Sequence, residues 1–153
     1  MTAIPTERDF SPDGGPLGEY ALDERVAWEH FGGLTLDQAR SKFLENPSYY
    51  QEDFMWMGGR AFVFYFRVID EYLRSAPDPI NEDNKEAWIL AKGIQRQFEV
   101  WPITVRPLLE CVLELCEYVL SHLHHFAYCE KELVRIEKAW RELRSAVLDS
   151  IHL

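Results

Sequence analysis

Apolar residues recur along this chain at helical rather than strand spacing. They are densest in SYYQEDFMWMGGRAFVFYFRVIDEYLRS, residues 48–75. Beyond Gly58 and Gly59, Phe62, Phe66, Ile69 and Leu73 form one stripe at i, i+4, i+7 and i+11, with Ala61, Tyr65, Val68 and Tyr72 in the stripe beside it. Arg60, Arg67, Glu71 and Arg74 fall on the far side, Arg67 and Glu71 being spaced to pair. An apolar arc that wide predicts a central helix of a bundle, and core packing is a simpler reading of it than a cofactor pocket. Asp53, Arg60 and Arg67 cut the run into pieces too short for the roughly 20 apolar residues a membrane helix needs.

Other helices follow from period and punctuation. Ala21, Leu22, Val26, Trp28 and Phe31 make a loose apolar face that Gly32-Gly33 ends. Thr35 with Gln38 reads as a capping box for a helix closed by Pro47, and Ser48 with Gln51 repeats that signature. The glycine pair at 58–59 predicts a break or kink. SAPDPINEDN is the clearest loop, with Asn81 a cap for the next helix, in which Ala87, Ala91, Ile94, Phe98 and Trp101 share a face.

From Leu108 onward there is no Gly or Pro. One heptad position holds Val112, Val119, Phe126, Leu133, Trp140 and Val147, and the other Leu115, His122, Cys129, Ile136, Leu143 and Ser150. A single helix of that length would be longer than a globule of this size is wide, so a break is expected near residues 128–131. Residues 1–18, interrupted by Pro and Gly, read as a flexible tail. The expected fold is all-α: a single-domain bundle of about five or six helices over residues 19–153.

Composition narrows the class of partner. A formal charge of −10 argues against nucleic acid, because phosphate binding needs clustered Lys and Arg. Cys111, Cys116 and Cys129 are an odd number without CxxC spacing, which does not suggest a disulfide framework. With no basic and apolar leader, the expected compartment is the cytoplasm.

Candidate chemistry is sparse. His122, His125 and Cys129 at i, i+3 and i+7 could present three zinc-type ligands on one helical face, although two of them occupy seam positions. Glu110, Glu114 and Glu117 line an acidic stripe of the same segment. Tyr49, Tyr50, Glu52 and Asp53 cluster at a helix start beside Trp56. Acids at such a start gain from the helix dipole, and the cluster also fits an aromatic and acidic hot spot for a basic loop. No nucleophile elbow, phosphate loop, zinc-protease or dinucleotide motif occurs, and no cofactor is expected.

FLENPSYYQEDFMWMGGRAFVFYF, together with EAWILAKGI, resembles a group of small uncharacterised bacterial proteins over about half of the chain. The resemblance implies a bacterial origin and no activity. The expected function is a non-enzymatic acidic module that binds a basic protein, most concretely an immunity-type inhibitor of a basic bacterial toxin. The acidic stripe Glu110, Glu114, Glu117 and the cluster Tyr49, Tyr50, Glu52, Asp53 are its expected contacts. The alternatives are a small metal protein or enzyme using His122, His125 and Cys129, and a structural homo-oligomer, such as a homodimer, joined through the C-terminal heptads.

Overall fold

A computed structural model describes residues 3–12, 14–19, 21–75, 87–127 and 129–152. Within them every regular element is a helix. In chain order these are α1 (Glu7–Phe10), α2 (Leu22–Phe31), α3 (Leu36–Glu45), α4 (Pro47–Tyr50), α5 (Asp53–Trp56), α6 (Gly59–Arg74), α7 (Ala87–Val100), α8 (Pro102–Val105), α9 (Leu109–Ser121), α10 (Leu123–Phe126) and α11 (Glu130–Asp149). The all-α expectation holds, but the count exceeds five or six. Six helices of ten or more residues are joined by five single-turn helices among the described residues. The proline-rich loop expected after Ser75, with its Asn81 cap, lies outside them.

Helix α6 occupies the centre, as its two stripes require. Phe62, Phe66, Ile69 and Leu73 are at most 2% exposed, and Ala61, Tyr65 and Val68 are buried with them. It packs against α1, α3, α5, α7, α8 and α9, while α11 lies mainly on α7 and α9. Glu71 meets Arg67 at 3.8 Å but pairs more closely with Arg40 of α3, at 2.5 Å, so the expected i, i+4 pair is the weaker of the two.

Thr35 and Gln38 form the expected reciprocal capping box, at 3.1 and 2.9 Å. The second cap differs: Asn46, not Ser48, accepts the Tyr49 N–H, with Pro47 as the first helical residue. Proline lacks the N–H that a helix start leaves unpaired, so it fits there at little cost.

The glycine pair ends α5 and starts α6. Gly58 donates its N–H to the Phe10 carbonyl at 3.0 Å, and a Cβ at Gly58 would lie 2.6 Å from the Asp9 carbonyl oxygen. That approach corrects the tail expectation over residues 6–11. Thr6 and Asp9 close a capping box around α1, Phe10 is fully buried, and Arg60 binds the Asp9 carboxylate and the Arg8 carbonyl. Proline and glycine spacing hid the buried aromatic around which the turn docks.

The C-terminal region breaks twice among the described residues, at His122 and again between Ala127 and Glu130. His122 and Cys129, the polar and small members of the heptad seam, are the caps at these breaks, and both are exposed. Val112, Leu115, Val119, Ile136, Leu143 and Val147 are fully buried within the chain's own core. Most of the seam therefore faces inward.

Candidate functional site

A buried carboxylate draws three aromatic side chains into one cluster. The Asn46 cap and Pro47 start α4, whose single turn carries Tyr49 and Tyr50. Gln51 and Glu52 then lead into α5, where Asp53 is the first residue. Asp53 is 6% exposed, and its Oδ2 lies 2.6 Å from His30 Nδ1, in the last turn of α2. The His30 ring sits 5.4 Å from the Tyr49 ring and 5.1 Å from that of Tyr50, which meet each other edge to face at 4.9 Å. Lys42 of α3 stands over Tyr50 at 5.6 Å.

Burial pushes the Asp53 carboxyl up to about 6 from its ordinary 3.8, and the nearby Glu52 charge adds to the rise. The His30 hydrogen bond and the Lys42 charge oppose it. Burial also raises the Tyr50 hydroxyl, with the Glu45 charge acting in the same direction. Beside Tyr50 a groove of about 590 Å³ opens along α3, lined by Asp37, Gln38, Ser41, Lys42 and Glu45.

The His30–Asp53 pair resembles a carboxylate orienting a general base. Among the described residues, however, no hydroxyl or thiol is hydrogen-bonded to His30, so no nucleophile is presented to it. The pair's visible effect is to tie α2 to α5 beneath the tyrosines. Tyr49 above it is 61% exposed, held at its ring edges by two neighbours.

Three of the four residues expected at this helix start, Tyr49, Tyr50 and Asp53, therefore meet in one cluster, with Glu52 exposed beside it. Asp53 is buried rather than available to a partner. His30 was missed: its partner is 23 residues away, and nothing in its own neighbourhood marks it. Glu110, Glu114 and Glu117 are exposed on α9, but Glu117 already binds Arg144 of α11 at 2.7 Å.

The expected metal group is corrected. His122, His125 and Cys129 would share a face only on an unbroken helix, and both breaks fall among them. His122 Nδ1 is 2.7 Å from the Tyr118 carbonyl, with its ring stacked on Tyr118, while the His125 ring meets Phe126 edge to face. Among the described residues no three His, Cys, Asp or Glu side chains are placed to hold a metal ion. Cys116 is buried, which pushes its thiol up to about 12, far from the thiolate that reacts or ligates. No described helix is long and apolar enough to cross a membrane. Comparison with family models, curated proteins and solved structures found no significant match to the chain.

Proposed function

We propose that the chain is a non-enzymatic protein-binding module whose contact face is the rim formed by Tyr49, Tyr50, Glu45 and Glu52, and that its partner presents a basic loop. The observation that carries this reading is Tyr49, a large ring left 61% exposed yet braced by Tyr50 and His30. A pre-positioned tyrosine gives up little conformational freedom on binding, and such rings are common energetic centres of interfaces. Glu45 and Glu52 are exposed beside it, and the formal charge of −10 favours fast capture of a cationic surface. An immunity-type inhibitor covering the basic active site of a bacterial toxin is the most concrete form of the proposal. The Glu110–Glu114 stripe on α9 serves in it as a steering surface.

The test is affinity purification with the wild type and with Tyr49→Ala and Glu52→Lys, at low and high salt. The expected result is one basic protein retained by the wild type, lost at high salt and lost by both variants. A partner retained equally by all three at either salt concentration would remove this rim from the proposal.

A further inference from the structure

The carboxylates and cations of α11 balance in the sequence, five against five, but the fold separates them. Lys131, Arg135, Lys138 and Glu142 follow one another at steps of four, three and four residues, which places them in a single stripe of the helix. That stripe and Lys92 of α7 line a groove of about 490 Å³, which also contains Trp88. Four cations thus face one carboxylate on a protein that is strongly acidic overall.

The pairing pattern explains how they came to be left over. Arg40, Arg60, Arg67, Arg74, Arg141 and Arg144 each hold a carboxylate within 4 Å. Glu137 of α11 is taken by Arg141 at 2.9 Å, and Arg144 reaches across to Glu117. Among the described residues Lys92, Lys131, Arg135 and Lys138 form no ion pair with any carboxylate. Arg135 instead lies 4.7 Å over the Trp88 ring, which fixes its guanidinium at the groove.

Like charges gathered at one groove repel, and a small anion of high charge density would relieve that repulsion.

We propose that the α7–α11 groove binds a small phosphorylated anion, with Lys92, Lys131, Arg135 and Lys138 as its cationic walls. Phosphate suits this set because an arginine fork and mobile ammonium groups both match its oxygens, and several phosphate charges in a small volume match four cations. The site is independent of the Tyr49 rim.

Titration calorimetry of the full chain with inorganic tripolyphosphate tests the proposal, with citrate as a carboxylate of comparable charge. Saturable binding at one site is expected, at least about tenfold weaker in Lys131→Glu/Lys138→Glu and within about twofold of wild type in Arg67→Glu, an exposed cation elsewhere. Should the double variant fail to fold, Lys92→Ala and Lys138→Ala at exposed positions give the same reading. Absence of tripolyphosphate binding would overturn the site. Equal weakening by Arg67→Glu would reduce it to overall charge, and citrate bound as tightly as tripolyphosphate would overturn its assignment to phosphate.

Discussion

The side-chain amide of Gln97 donates to the Met57 carbonyl at 2.7 Å, from a position with no solvent exposure. A second contact, at 3.0 Å, reaches the Phe54 carbonyl, and the neighbouring Arg96 donates to Met55. A one-turn helix such as α5 has too few residues to satisfy its own carbonyls, so α7 supplies the donors from outside. Gln97→Leu keeps most of the volume and strands those acceptors. The expected loss is about 1–3 kcal/mol in denaturant unfolding. An unchanged midpoint would mean that water replaces the amide.

Asp53 gives a pH dependence with a definite sign. Its carboxyl is held at about 6 in the fold against an ordinary 3.8, so between those values the folded chain keeps a proton that the unfolded chain has released. Its contribution to stability is therefore complete below 3.8 and is lost as pH rises through 6. Asp53→Asn removes the titration, so it should gain on the wild type by an amount on the order of 2–3 kcal/mol as pH rises across that window. A constant difference between the two unfolding curves from acid to neutral pH would contradict the assignment.

Gly58→Ala tests the docking of α1. Its φ of −59° suits any residue, so the demand is spatial: the added Cβ would meet the backbone at Asp9 and Phe10. The expected loss is about 1–3 kcal/mol, with proteolysis appearing first around Phe10. Gly33→Ala is the contrasting case. That residue has open space but a φ of +74°, so its cost should be conformational, roughly 1 kcal/mol, with no change in cleavage near Phe10.

Phe66→Ala should cost about 3–5 kcal/mol, since the ring is 2% exposed on the central helix. A fall under about 1 kcal/mol would place α6 outside the cooperative core.

Phe66 also marks what could be read in advance. Helices whose apolar faces follow a local period, such as α6, were legible, as were the Thr35 cap and the glycine breaks. Contacts that join distant residues were not. Phe10 sits among prolines and glycines, and what packs α1 comes from later in the chain: Trp28, Tyr65, and Gly58 and Arg60 some fifty residues on. His30 and Asp53 carry no mutual signal across their separation. Along the heptads, the break expected near residues 128–131 is present, but the earlier one at His122 carried no signal, because no Gly or Pro marks it. The charges of α11 balance when counted along the chain, and only pairing in three dimensions leaves four cations together.

The hydrogen bond between Phe10 and Gly58 also sets an order of events during synthesis. The α1 turn leaves the ribosome about fifty residues before the backbone that receives it, and a single turn has no independent stability. Trp28 of α2 can meet the Phe10 ring early, but the rest of its seat waits until Gly58 and α6 have emerged. A Cβ at Gly59 would lie 3.0 Å from Trp101 and Thr104, so the start of α6 is in turn closed over by α8, which emerges later still. The α1 turn is thus completed only after helices that follow it in sequence have formed.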